Sequence, residues 1–241
     1  MRQEVYREMF ANEELHWWFA ARRTIIGGVL AAYYPHGAGS ILEAGCGTGG
    51  NLELLSGFGT VHGMELDEEA LDMANSRKIC PVLRGRLPDN IPFGQLFDLI
   101  CLFDVLEHIE EEAATLKGIG NKLQTGGGVL LTVPAYKFLW SGHDVSHRHK
   151  RRYVRGELLR LVEDAGFRII HATYFNTLLF PAVGAVRGIN NLLGSAGGSD
   201  AAMPPLPLNM LLMKIFSIER HLVPRFNLPF GVSILVLAEK E

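Results

Sequence analysis

The stretch Ile41–Gly50 reads ILEAGCGTGG and decides the fold. Its apolar first half predicts a short buried strand over residues 40–44, and its second half leads into a predicted helix that begins at Gly49. Glycine permits a tight turn and lets a ligand approach the main chain where a Cβ would otherwise stand. The stretch therefore predicts a nucleoside-binding turn between the first strand and the following helix of an α/β protein.

Strand and helix patterns alternate along most of the remaining chain. Helix patterns separate the apolar runs, and Asp67 is expected to cap the helix that follows the second strand. Such alternation predicts βαβ units and a parallel sheet with right-handed crossovers. The further strands are predicted over residues 60–65, 81–84, 97–103, 129–133, 167–174 and 232–239.

Two segments lie outside this alternation. The N-terminal segment, residues 5–34, has apolar positions at helical spacing and predicts a helix. The insertion segment, residues 175–231, separates the last two strands and is too long to be a structureless loop in a compact domain. We expect helices in it, including one over 208–222, and a flexible turn at 194–199. The parts of the expected single domain, residues 1–241, are a helical lid (5–34), a core (40–174 and 232–240) and an apolar cap (175–231).

Composition narrows the class of protein. The 241 residues carry 23 Lys and Arg against 26 Asp and Glu, a formal net charge of -3, so no basic field points to nucleic acid. The three cysteines are dispersed without a CxxC pair, which is typical of a reducing compartment. The first residues lack the apolar run of a signal peptide, and Thr177–Val186 is too short to span a bilayer. We expect a cytoplasmic protein, with membrane contact no more than peripheral.

The glycine turn fits two classes of nucleotide. Gly45, Gly47 and Gly50 form GxGxxG, and Glu65 stands about 20 positions after the first glycine, as in NAD-binding folds. Glu43, however, precedes the turn by two residues, where a carboxylate suits a cationic ligand and suits a pyrophosphate poorly. An NAD-dependent oxidoreductase and a non-catalytic nucleoside-binding module remain as alternatives.

Three motifs carry a resemblance to a known family. Glu43, Gly45, Gly47 and Gly49 form an ExGxGxG pattern that resembles motif I of the class I S-adenosylmethionine-dependent methyltransferases. The run FDLICLFDVLEH at 97–108 is similar to that family's fourth strand and following turn, and LQTGGG at 123–128 to its turn before strand five.

The resemblance covers residues 40–170 and the last strand. It implies a Rossmann-like sheet of seven strands with the last strand antiparallel, and it places the insertion segment between strands six and seven. It also implies S-adenosylmethionine as the cofactor, and hence an enzyme that transfers methyl groups.

The resemblance also implies a set of cofactor contacts. Glu65 is expected to accept hydrogen bonds from both ribose hydroxyls, and Leu66 to pack on the adenine. The family's usual Asp after strand three has no counterpart in Gly85-Arg86-Leu87. In the N-terminal segment, Arg22 is expected to pair with the methionine carboxylate. The predicted contacts are Trp18, Arg22, Glu43, Gly45, Cys46, Gly47, Gly49, Glu65, Leu66, Arg86, Leu87, Asp104, Val105 and His108.

The acceptor is expected beside the histidine-rich segment Trp140–Tyr153, WSGHDVSHRHKRRY, which follows strand five. Methyl transfer requires a base only when the acceptor must lose a proton. His143 is the predicted base, and Asp144 the carboxylate that orients it. The WSxHD stretch followed by RRY resembles a bacterial subgroup of these methyltransferases. The predicted contacts to an anionic group of the substrate are His147, Arg148, Arg151, Arg152 and Tyr153.

The histidine-rich segment has two alternative interpretations. It could be a solvated basic loop without a role in the reaction. It could also bind a metal, because His143, Asp144, His147 and His149 are all potential ligands. Their spacing matches no standard zinc pattern, so the sequence predicts no metal.

The insertion segment bears on the kind of acceptor. Its runs 177–186 and 204–216 are more apolar than a cap over a small polar substrate requires. Beside basic residues, they favour an amphiphilic acceptor, such as a prenylated or lipid-linked molecule methylated on oxygen or carbon, or docking on a membrane surface. The alternative is that these helices bury each other or form a homodimer interface.

Overall fold

The computed structural model describes residues 3–192 and 202–241, so the predicted flexible turn at 194–199 lies outside the described residues. The strands of its sheet are β1 Gly39–Ala44, β2 Gly59–Glu65, β3 Val82–Arg84, β4 Phe97–Phe103, β5 Leu123–Pro134, β6 Phe167–Phe175 and β7 Ser233–Lys240. The helices are α1 Gln3–Asn12, α2 Trp17–Tyr33, α3 Leu52–Ser56, α4 Glu68–Ser76, α5 Glu112–Asn121, α6 Gly142–His147, α7 Arg155–Asp164, α8 Phe180–Leu192 and α9 Leu206–Ser217.

The strands form one sheet in the order β3-β2-β1-β4-β5-β7-β6. Every pairing from β3 to β5 is parallel, whereas β7 runs antiparallel to both β5 and β6. This is the predicted Rossmann-like sheet with an antiparallel last strand, and the prediction is confirmed. The order differs from the NAD-binding sheet, in which the sixth strand lies directly beside the fifth.

The core consists of two apolar layers, one on each face of the sheet. Strand β4, FDLICLF, is buried except at Asp98, as expected for a strand covered on both faces. On one face it packs with α5 and α7 through residues such as Leu116 and Leu158. On the other face α2, α3 and α9 supply Ile25, Leu52 and Phe216. The two layers hold the carboxyl ends of β1, β2 and β4 at one edge.

The structure differs from the predicted elements in several places. Strand β5 begins at Leu123, so LQTGGG, expected as a turn, belongs to the strand, and α3 begins at Leu52 and not at Gly49. The N-terminal segment is two helices, because the chain turns at residues 13–16 and α2 begins after His16. A 3-10 turn, Leu106–His108, separates β4 from α5. The histidine-rich segment contains the short helix α6. Within residues 3–192 and 202–241, no helix combines the length and apolar character that crossing a membrane requires.

Candidate active site

A cavity of about 1260 Å³ opens at the carboxyl ends of the parallel strands. Residues after β1, β2 and β4 line it, as do side chains of α1, α2, α6 and α8. Ligand pockets usually measure about 300–1,000 Å³. The cavity is therefore large enough for a nucleoside cofactor and a second molecule together.

The glycine turn forms the floor of this cavity. Gly45 and Gly47 have φ values of +78° and +56°, in the left-handed region that favours glycine. A Cβ on Gly45 would lie 2.8 Å from Val105 Cγ2, whereas a Cβ on Gly47 would meet no atom within 4 Å. Gly45 thus permits close packing, and Gly47 leaves the main chain open to a ligand. Gly49 does not border the cavity, because it packs against Ala74 of α4.

Glu43 presents a buried carboxylate to the cavity. Its Oε1 accepts a hydrogen bond of 2.8 Å from Asn51 Nδ2, and its Oε2 has no partner among the described residues. Burial raises the pKa of the Glu43 carboxyl to about 8. An unpaired buried carboxylate oxygen is costly unless a ligand satisfies it. A cationic group such as an ammonium or sulfonium would favour the ionised form of Glu43 at this position, whereas a pyrophosphate would oppose it.

Glu65 is held rigidly at the end of β2. Its carboxylate accepts hydrogen bonds from the main-chain N–H groups of Gly47 (2.8 Å), Leu66 (2.8 Å) and Asp67 (3.0 Å). A carboxylate has about four acceptor sites, so capacity is left for a donor from the cavity that Glu65 borders. Leu66, Arg86 and Leu87 also border the cavity, at its β2–β3 side.

Arg22 and Asp104 are paired with each other. Asp104 follows β4 directly and has a φ of +57°. Its Oδ1 accepts a hydrogen bond of 3.2 Å from Thr132 Oγ1, and its Oδ2 forms an ion pair with Arg22 Nη1. Arg22 was expected to bind the methionine carboxylate, but in this structure Asp104 supplies the counter-charge for its buried guanidinium. Trp18 stacks on Phe216 with ring centroids 5.3 Å apart and borders the same cavity.

Three histidines of the histidine-rich segment meet at the cavity wall. His143 and His147 lie on one face of α6, with ring centroids 4.0 Å apart. Arg148 adopts the left-handed conformation and reverses the chain, so His149 returns to within 5.6 and 5.7 Å of the other two rings. Burial lowers the pKa of His143 well below its usual range and that of His147 to about 4. Both imidazoles are therefore neutral near pH 7.

Asp144 does not orient His143, and the predicted pair is wrong. Neighbouring residues on a helix do not face each other. The Asp144 carboxylate instead bonds to His149 Nδ1 at 2.9 Å and to Arg152 at 2.7 Å and 3.0 Å through Nε and Nη2. It thus orients His149 and neutralises a buried arginine.

Most of the predicted substrate arginines point away from the cavity. Arg151 pairs with Glu112 of α5, and Tyr153 donates its hydroxyl to the same carboxylate at 2.8 Å. Arg148 is exposed, and Arg148, Arg151 and Tyr153 do not border the cavity. Of the predicted set, only His147 and Arg152 border it, and Arg152 is already paired. Glu112, which neutralises Arg151, belongs to α5 and stands 39 positions earlier in the chain, so spacing within the segment does not reveal it.

Three further polar residues border the cavity without having been predicted to contact the acceptor. Glu107 is fully buried, and neither of its carboxylate oxygens has a partner in the part of the chain that is described. Its Oε1 lies 3.9 Å from His149 Nε2. His108 packs its ring 4.8 Å from that of His149, and burial lowers its pKa to about 3. Asn176, after β6, is buried with both amide atoms unpartnered among residues 3–192 and 202–241.

Comparison with known proteins identifies the class. Residues 10–172 match the family model described as a methyltransferase domain. The chain therefore belongs to the methyltransferase domain family, and its sheet is that of the class I S-adenosylmethionine-dependent methyltransferases. The sequence-based prediction of this class, and of S-adenosylmethionine as its cofactor, is confirmed.

Individual relatives are distant and match only in part. The chain is similar to a Candida albicans mitochondrial ubiquinone biosynthesis O-methyltransferase, 29% identical over 39% of this chain and 32% of that protein. A protein of Mycolicibacterium smegmatis named a probable S-adenosylmethionine-dependent methyltransferase is 28% identical over 54% of the chain and 52% of its own length. The chain thus spans from a third to a half of these curated relatives.

Among solved structures, the fold is similar to that of a Haloferax volcanii protein determined in complex with the Trm112 methyltransferase activator. The TM-score is 0.62 at 16% identity, over 98% of this chain and 94% of that one. At this identity the likeness describes the fold alone.

Proposed function

We propose that this chain transfers the methyl group of S-adenosylmethionine to a hydroxyl or phenolic oxygen of an amphiphilic acceptor. The observation that carries the proposal is a single cavity with two unlike ends. The glycine turn with Glu43 and Glu65 lines one part of it, and apolar side chains of the insertion segment together with His143 and His147 line another.

The cofactor end supplies contacts for both halves of the nucleoside. Glu65, fixed by three main-chain donors, is suited to receive the ribose hydroxyls, and the open backbone at Gly47 leaves room beside them. Glu43 directs its unpaired oxygen towards the position expected for the ammonium group. Trp18 and Arg22 belong to α2, which we propose acts as the lid over this end.

When bound, S-adenosylmethionine supplies an activated methyl group: an O–C bond forms, the C–S bond breaks, and S-adenosylhomocysteine and one proton are left. The protein has to align the acceptor oxygen and exclude water. His143 borders the cavity with a neutral imidazole, which is the form that can take up a proton. Asn176 has an amide that can hydrogen-bond to the acceptor.

The insertion segment supports an amphiphilic acceptor. Leu179, Ala182, Val183 and Leu212 give the cavity an apolar wall, where a chain of methylene or prenyl groups would lose its contact with water. Large apolar side chains on the outside of the same segment are exposed, which is typical of a surface that meets a lipid or a partner. They include Ile189, Leu206, Leu208, Met210 and Leu211.

The relatives are consistent with this acceptor class. The Candida albicans relative is named for O-methylation in the biosynthesis of ubiquinone, a molecule with a polar ring and a long apolar tail. We extend that substrate class, and peripheral docking on a membrane, to this chain as part of the proposal. The WSxHD and RRY stretches favour the bacterial subgroup already described.

The test uses S-adenosylmethionine labelled in the methyl group. The full chain is incubated with a lipid extract of the expression host or with the matching water-soluble fraction, and the label is counted in each phase. We expect label in an organic-soluble product, and much less of it with Glu65→Ala at the same cofactor concentration. The exposed Arg168→Ala variant, at a residue remote from the cavity, serves as the control and should retain activity. Label confined to water-soluble products would contradict the amphiphilic acceptor.

A further inference from the structure

We propose that His143, His147 and His149 bind one divalent transition-metal ion at the wall of the cavity, with the Glu107 carboxylate beside His149 as a counter-charge. The three histidines each offer one ring nitrogen, and these atoms lie within 4.8 Å of one another. In a tetrahedral site with metal–nitrogen distances near 2.0–2.1 Å, ligand atoms stand about 3.4 Å apart. Side-chain adjustments of this size would close the site around an ion.

The helix explains two of the ligands. His143 and His147 are four positions apart on α6, so both imidazoles project from one face. This is the arrangement by which two histidines of one helix hold zinc in metalloproteases. The sequence alone predicts no metal because the spacing of the four potential ligands matches no standard zinc pattern. The helix is what brings His143 and His147 together.

The turn after the helix explains the third ligand. Arg148 has φ and ψ of +57° and 40°, and His149 donates its main-chain N–H back to the Asp144 carbonyl at 2.8 Å. The Asp144 carboxylate engages His149 Nδ1, which leaves Nε2 for a ligand. A carboxylate on the far nitrogen of a metal-binding histidine is a common feature of metal sites, because it fixes the ring and its tautomer.

Glu107 is the independent observation that points to a cation. It comes from the turn after β4, on a different element from the histidines, and its side chain is fully buried. Both oxygens lack a hydrogen-bond partner within the described part of the chain, and Oε1 faces His149 Nε2 at 3.9 Å. One ligand atom each of Glu107, His108 and His149 also lie within 4.8 Å of one another. A cation at this point would satisfy the orphaned carboxylate.

The ligand set indicates the kind of metal. Imidazole ligands suit zinc, copper, nickel or iron, whereas magnesium and calcium prefer oxygen ligands throughout. The site borders the cavity, so an acceptor oxygen could reach the ion. A hydroxyl bound to such an ion has a lowered pKa and releases its proton to water. This role of the metal ion rests on the proposed function. In this role His143 binds the ion and does not itself take up the proton.

The experiment is a titration of the full chain, first stripped with a chelator, with Co²⁺ alone. Visible absorption reports coordination, and elemental analysis after dialysis against Zn²⁺ gives the stoichiometry. We expect one equivalent per chain and at least tenfold weaker binding in His143→Ala and in His147→Ala. His36→Ala removes an exposed histidine outside the cluster and should bind as the wild type does.

The wild-type titration can overturn the proposal without any variant. It does so if Co²⁺ gives no visible absorption and the chain retains less than roughly 0.1 equivalent of Zn²⁺. Equal binding by His143→Ala, His147→Ala and wild type would also do so. Calorimetry with S-adenosylhomocysteine separates this proposal from the proposed function. If the chain transfers methyl groups normally but binds no metal, only the metal site is ruled out. If it binds metal but transfers no methyl group, only the proposed function is ruled out.

Discussion

Arg22 and Asp104 form an ion pair between α2 and the end of β4, although 82 positions separate them in the sequence. The side chain of Arg22 is 9% exposed and that of Asp104 is 25% exposed. The pair fastens the N-terminal segment to the edge of the sheet that carries the cofactor site. It also gives the guanidinium a protein partner before any ligand is present.

The first prediction concerns this pair. Residues in direct contact show coupling energies of about 0.5–3 kcal/mol in double-mutant cycles. We expect Arg22→Ala and Asp104→Ala each to lower the free energy of unfolding, and the double variant to lose less than the sum. Urea denaturation of the four proteins measures the coupling. Strict additivity would mean that the pair does not act as a unit.

The second prediction is a proton released on cofactor binding. Burial holds the pKa of Glu43 at about 8, so its carboxyl is mostly protonated at pH 7. Arg22 lowers this pKa, and Glu13 and Glu65 raise it. The ammonium group of the ligand favours the ionised form, so binding should release nearly one proton at pH 7. Affinity should rise with pH until about pH 8 and then level off.

Calorimetry with S-adenosylhomocysteine in buffers of different ionisation enthalpy counts that proton. Glu43→Gln provides the matched variant, because an amide of the same shape cannot titrate. The variant should bind S-adenosylhomocysteine more weakly and should release no proton from this position. An identical proton count in Glu43→Gln and the wild type would contradict the assignment.

The third prediction concerns Arg148, which occupies the left-handed region at the end of α6. That conformation costs a residue with a Cβ roughly 1–2 kcal/mol, whereas glycine adopts it freely at some cost in unfolded-state entropy. Arg148→Gly should therefore raise the free energy of unfolding by about 0.5–1 kcal/mol. Thermal denaturation measures the change, and a lower stability would show that the side chain holds the turn.

The same variant tests the predicted substrate contact. Arg148 is exposed and does not border the cavity, so Arg148→Gly should leave the KM for the acceptor unchanged. A rise of tenfold or more in KM, an order-of-magnitude criterion for a lost charged contact, would restore Arg148 as an anion-binding residue.

The fourth prediction concerns the contact between the N-terminal segment and the insertion segment. The buried side chain of Asn209, on α9, accepts a hydrogen bond from Trp17 N and donates one to Leu15 O, both at 2.8 Å. Asn209→Ala leaves these main-chain groups unsatisfied, which costs about 1–3 kcal/mol. Asn209→Asp keeps the acceptor for Trp17 N but sets a buried carboxylate oxygen against Leu15 O, so it should lose at least as much stability. Chemical denaturation of both variants measures the free energy of unfolding. An unchanged value for Asn209→Ala would show that these hydrogen bonds do not stabilise the contact between the two segments.

The sheet could be predicted from the sequence because its signals are local. The apolar run of β4 was predicted over its full length, and the helix cap at Asp67 is formed by hydrogen bonds of 3.0 and 3.2 Å to Glu69 N and Ala70 N. The glycine turn could also be predicted from the sequence, because the strand, the glycines and the helix follow one another directly. The same holds for Glu43 and Glu65, which stand where strands end.

The rest of the site depends on contacts that chain spacing does not encode. Asp144 was assigned to its sequence neighbour His143, but helix geometry turns it towards His149 and Arg152. The charge of Arg151 was read as available, although Glu112 of α5 neutralises it. Glu107 could be found only when its burial was known. Side chains from separate elements decide these roles, and the fold alone brings them together.

The most direct test of the account is calorimetry of the full chain with S-adenosylhomocysteine and, separately, with NADH. We predict one site for S-adenosylhomocysteine, with an affinity lowered about 10–100-fold in Glu65→Ala by the loss of charge-assisted hydrogen bonds, and no binding of NADH. Saturable binding of NADH without binding of S-adenosylhomocysteine would contradict the methyltransferase site.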